Sequence, residues 1–108
     1  MDIRLKKQKD FDAVFSKGKR VYSKTLTLLY IPNNNFKFGI SLSKKHGKAN
    51  IRNRIKRLIR ASVREVIKGK TLNNYNVVIL PKVLEEYSFI DIKNDVLYTF
   101  KKGNIVND

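Results

Sequence analysis

The hydrophobic period of this chain changes from two to 3.6 within a few residues, and that change limits the folds open to it. In FKFGISLS, Phe36, Phe38, Ile40 and Leu42 alternate with Lys37, Gly39, Ser41 and Ser43, the pattern of a half-buried strand. In IRNRIKRLIRASVREVI, the positions sharing one helical face are Ile51, Ile55, Leu58, Ile59, Ser62 and Val66, and Gly69 can end the helix. NYNVVILPK follows with a nearly continuous apolar run, as suits a strand covered on both faces. A helical run of about 20 residues between two strands predicts a parallel pairing across a helical crossover.

The remaining segments fall around this unit. DFDAVFSKG sets Phe11, Val14 and Phe15 on one side of a short helix, with Asp10 favouring its start and Gly18 its close. RVYSKTLTLLYIP reads as a strand, or one split in two, stopped at Pro32. Asn33 to Asn35 make a turn, and FKFGISLS is expected to pair with the strand before it. SFIDIKNDVLYTFKKG reads as a helix with Ser88 and Asp91 at capping-box spacing, an Ile92, Val96, Phe100 stripe, and Lys101 and Lys102 in the last turn. The predicted fold is α+β, a small α/β sandwich in the order α-β-β(-β)-α-β-α. Residues 1–108 form one domain with 1–8 and 103–108 flexible. Such a length buries about 65% of the unfolded surface.

Charge narrows the function. The formal net charge is +15, and between Ala13 and Leu84 there are 17 basic residues and one acid, Glu65. A field of that sign and strength draws polyanions. On the helix from Ile51, Arg52, Lys56, Arg57, Arg60 and Arg64 spread over the side opposite the apolar face, with Asn53 among them. Arg52–Lys56, Lys56–Arg60 and Arg60–Arg64 are like-charge i, i+4 pairs, each unfavourable by about 0.2–0.5 kcal/mol. A surface shaped only for stability would interleave Glu. The missing counter-charge is therefore expected from a partner, and phosphate suits the planar donor fork of Arg.

Other classes lose support from the same residues. Without Cys there is neither a disulfide scaffold nor a thiolate metal site. No apolar run reaches the ~20 residues of a membrane span, and MDIRLKKQKDF has no apolar signal core, so the expected location is the cytoplasm. A helix lying on an anionic membrane would want Trp or Phe at its apolar edge, where this one has Ile, Leu and Val. No intrinsic metal site is expected: Mg²⁺ needs gathered carboxylates, and the central stretch has Glu65 and His46 only. His46 is read as a turn or surface residue. Gly39, inside a strand, suggests a bulge or a close backbone approach.

The stretch FGISLSKKHGKANIRNRIKRLIRASVRE resembles the protein subunit of bacterial ribonuclease P. The family pattern is a strand ending Ser-x-Ser-Lys-Lys, a glycine, an alanine, then Arg-Asn-Arg-x-Lys-Arg-x-x-Arg. Here it is carried by Ser41, Ser43, Lys44, Lys45, Gly47, Ala49, Arg52, Asn53, Arg54, Lys56, Arg57 and Arg60. The resemblance implies an RNA-binding subunit that assists a catalytic RNA in endonucleolytic removal of the 5′ leader from precursor tRNA. It implies no catalytic residue on this chain, Mg²⁺ on the RNA subunit, and no obligate protein partner. It also implies a left-handed βαβ crossover. Carried over by position, Lys44, Lys45, Arg52, Asn53, Arg54, Lys56, Arg57, Arg60 and Arg64 would contact the RNA subunit. Arg54 lies beside the apolar edge, where packing is the competing role. A leader-binding cleft would use Phe11 and Phe15, for which ordinary core is the alternative. Leu29 stands where the family often has an aromatic, and Tyr22 is a further candidate. A structural RNA binder such as a small ribosomal protein, and a DNA-binding module, are the rival classes. Rescue of precursor-tRNA cleavage separates the first, and competition by duplex DNA the second.

Overall fold

The computed structural model describes residues 3–107. Helix α1 (Gln8–Lys17) is followed by strands β1 (Lys19–Tyr22), β2 (Leu26–Pro32) and β3 (Lys37–Ile40) and a 3₁₀ turn at Lys44–His46. Helix α2 (Ala49–Ile67), strands β4 (Thr71–Leu72) and β5 (Tyr75–Pro81), helix α3 (Phe89–Lys102) and strand β6 (Val106–Asn107) complete the order. The architecture is mixed α+β, as the periodicities predict. The long first strand is indeed split, into an antiparallel β1–β2 hairpin.

The main sheet has the order β1-β2-β5-β3. β5 runs parallel to β3 and antiparallel to β2, so the parallel crossover pairing is present. The expected pairing of FKFGISLS with the preceding strand is not. β5 lies between them, paired with β2 on one side and β3 on the other, and its Val77, Val78 and Ile79 are fully buried under the helices on the two faces. Asn33 fixes the displaced turn: its backbone N–H donates to Asn74 O (3.0 Å) and its side chain to Asn76 Oδ1 (2.7 Å).

Each sheet face has its own core. On one, Leu28, Phe38, Val77 and Ile79 meet Ile55, Ile59, Val63 and Val66 of α2 and Ile92, Val96 and Phe100 of α3. On the other, Leu29 and Val78 meet Val14 of α1 and Leu5. The apolar face of α2 is rotated from the expected one: Val63 is buried, while Ile51 is 40% exposed. Helix α1 begins at Gln8, not at Asp10, which sits in the first turn instead, where its charge suits the helix dipole. Ser88 caps α3 by accepting from Asp91 N–H at 3.4 Å, but the return bond from the Asp91 carboxylate is not made among the described residues.

Both end segments, expected to be flexible, are held where described. Phe38 N–H donates to Ile3 O and Leu5 N–H to Phe38 O, each at 2.8 Å, so residues 3–5 lie beside β3. At the other end Ile105 is fully buried and Val106 pairs with Leu72. The isolated apolar residues in these polar ends explain it: burying such a side chain is worth about 1.5–3 kcal/mol.

Candidate nucleic-acid interface

β3 is the last strand of the sheet and only the short segment of residues 3–5 lies beyond it, so α1 on one face and α2 on the other can approach each other past its end. A cleft of about 350 Å³ opens there. One wall is Gln8, Phe11 and Phe15 of α1; the other is Ala49, Arg52, Asn53 and Lys56 of α2. Ile40, Ser41 and Leu42 at the end of β3 form its floor. A second hollow of about 280 Å³ shares Phe11, Ile40 and Lys56 with the cleft and adds Arg4, Lys6 and Arg60. The groove thus continues along the sheet edge, lined with cations.

Phe11 and Phe15 are half-buried. They rest on the Leu5, Val14, Leu29, Val78 cluster and also line the cleft. Gly39 makes room: a Cβ there would stand 2.4 Å from Phe11 Cζ. The close approach suggested by a glycine in a strand is therefore that of an aromatic ring. Arg52 is half-buried, and its Nε is buried without a partner among the described residues. An unmade bond of that kind costs about 1–3 kcal/mol, more for a charged group, until an acceptor arrives.

Of the other cations of α2, Arg60 is exposed at the rim of the second hollow, while Arg57 and Arg64 are exposed outside both hollows. Arg54 is exposed too, against the packing role, and flanks a different hollow with Leu84, Glu85 and Glu86. None of the cations from Arg52 to Arg64 has a side-chain hydrogen bond or ion pair among the described residues, and neither does Asn53. The helix leaves its positive charge unanswered within the fold.

Lys44 and Lys45 are exposed on the turn leading into α2. That turn is fastened by His46, a role its turn position did not disclose. Ser43 N–H donates to Nδ1 (3.1 Å), so Nε2 carries the hydrogen and donates to Pro81 O (2.7 Å). The imidazole thereby ties the basic turn to the end of β5.

Two expected cleft residues are elsewhere. Leu29 is fully buried beneath α1; an interior strand position under a helix takes an aliphatic side chain and reaches no cleft. Tyr22 is 65% exposed but lies in β1, at the opposite edge of the sheet from β3. Conversely, Gln8, Ile40 and Leu42 line the cleft without having been singled out. Gln8 was within reach of sequence reasoning, since Gln8, Phe11 and Phe15 share one helical face once the helix starts two residues before Asp10.

An α+β domain with a cationic helix flanking an aromatic cleft has the charge and shape to receive a polyanion. The comparisons specify which. The Ribonuclease P family model matches residues 1–104, and the chain belongs to that family. It is 33% identical to the ribonuclease P protein component of Bacillus cereus (strain Q1), over 94% of this chain and 91% of the relative. The structure is similar to that of the Staphylococcus aureus RNase P protein (TM-score 0.84, 28% identity, 99% of this chain and 100% of that one). It also resembles the RNase P protein from Thermotoga maritima (TM-score 0.74, 27% identity, 88% of this chain and 92% of that one). Membership assigns the chain a role in tRNA 5′ processing alongside the ribonuclease P RNA. Among the described residues, no helix is long and apolar enough to cross a membrane.

Proposed function

We propose that the chain divides two RNA contacts around the circumference of α2. The outward cations, Arg54, Arg57 and Arg64, with Lys44 and Lys45 and with Arg60 at the rim of the groove, hold the ribonuclease P RNA. The inward residues, Arg52, Asn53 and Lys56, face the single-stranded 5′ leader of precursor tRNA. Phe11 and Phe15 offer ring faces on which bases stack, a contact worth about 1–3 kcal/mol per base. Arg52 and Lys56 neutralise the backbone between them. The observation that carries this is the cleft itself: half-buried aromatics on α1 stand across from the unpartnered Arg52 Nε on α2.

Hydrolysis of the phosphodiester falls to the RNA subunit and its Mg²⁺. No catalytic step is assigned to this chain. The protein's part is binding and orientation, in the cytoplasm. Reconstitution with a bacterial ribonuclease P RNA tests it: addition of the protein should restore cleavage of precursor tRNA at low Mg²⁺. Phe15→Ala should then weaken binding of precursor more than of mature tRNA. Equal loss on both substrates would mean that Phe15 serves the core alone, and processing by the protein freed of RNA would end the whole assignment.

A further inference from the structure

The sheet edge opposite the cleft has a hollow of its own. It is an open depression of about 800 Å³, lined by Tyr22, Ser23, Lys24 and Thr25 of the β1–β2 hairpin and by Asp91, Asn94, Asp95 and Tyr98 of α3. Tyr22 and Tyr98 are 65% and 51% exposed. Among the described residues neither ring contacts another aromatic ring and neither hydroxyl has a hydrogen-bond partner. Two large rings left open on one hollow offer stacking faces.

The polar groups divide by how much of their capacity the fold consumes. Asp95 is used structurally: its Oδ2 accepts from Thr25 N–H at 2.8 Å and Thr25 Oγ1 at 2.6 Å, which clamps the hairpin onto α3. Asp91 is not, because its carboxylate makes no return bond to Ser88. The Asn94 side chain is likewise without a partner among the described residues. A hollow with two carboxylates repels a phosphate inside it and accepts from N–H donors. Of the four RNA bases, guanine alone presents two adjacent donors, N1–H and the N2 amine, to a single carboxylate. Lys24, exposed beside the hollow, can meet the phosphate outside.

We propose that this hollow is a binding site for an unpaired guanosine nucleotide, stacked on Tyr22 and Tyr98, with its N1 and N2 donors on Asp91 and its phosphate near Lys24. The site is separate from the leader cleft by the width of the sheet, about 14 Å across three strand spacings, and stands or falls independently of it. The nucleotide could be free or part of RNA, and the test separates the two. The full-length ¹⁵N-labelled protein is titrated with GMP, AMP, CMP and UMP, and with UUGUU and UUUUU. GMP should give saturable shifts at Asn94 and its neighbours, with an affinity about fivefold or more above UMP, the low end of bidentate base discrimination. UUGUU binding more tightly here than GMP assigns the site to RNA, and GMP binding as tightly or more so assigns it to the free nucleotide. Asp91→Asn should abolish the preference for GMP, and Tyr22→Ala with Tyr98→Ala should lose binding while leaving the Phe15 and Arg52 signals in place. Equal shifts with all four nucleotides, no shifts at all, or shifts confined to Phe11, Phe15 and Arg52 would each overturn the site.

Discussion

Gly39 admits the Phe11 ring against β3, and His46 ties the basic turn to the end of β5. A methyl group at position 39 would fall 2.4 Å from Phe11 Cζ and 2.7 Å from Cε1, so Gly39→Ala must displace the ring from the edge strand. The expected outcome is several-fold weaker binding of precursor tRNA, little change for mature tRNA, and a stability loss of about 1–3 kcal/mol from overpacking. Paired binding isotherms and denaturant unfolding would check both. His46→Ala removes the acceptor for Ser43 N–H and the donor to Pro81 O. Two lost hydrogen bonds predict about 1–3 kcal/mol of destabilisation, read by urea unfolding, and weaker RNA binding as Lys44 and Lys45 lose their fixed position.

Among the elements, α2 carries opposing demands on its two sides. Ile59 is fully buried, and Ile59→Ala should cost about 2–5 kcal/mol, seen as a lower midpoint in thermal unfolding. Arg57→Ala or Arg60→Ala removes like-charge repulsion and no bond among the described residues. Each should leave the unfolding midpoint unchanged or slightly raised, while lowering the slope of log affinity against log salt by about 1; a loss of folding would make these arginines structural. Helices α2 and α3 are legible in the sequence because a 3.6 period survives over many turns. So is the double burial of β5, from its unbroken Val77–Leu80 run. Strand neighbours are not legible in the same way. Periodicity states which face of FKFGISLS is buried and nothing of which strand lies beside it, so proximity along the chain suggested a hairpin where β5 intervenes. Leu29 and Tyr22 misled for a related reason: their place in a cleft depends on where α1 lands on the sheet, which no local pattern encodes.

At the scale of the molecule, the ends complete the fold. Ile105 is fully buried and β6 pairs with β4, so ending the chain after Asn104 should lower the unfolding midpoint by several degrees without altering the charge of α2. Circular dichroism melts of the two lengths would decide it. The order β1-β2-β5-β3 has a consequence for synthesis on the ribosome. β3 has only the short segment of residues 3–5 beside it until β5, ending at Pro81, has been translated and has left the exit tunnel. Until then the nascent chain displays an arginine-rich helix beside a sheet that does not yet exist, and RNA arriving early meets charge before it meets shape.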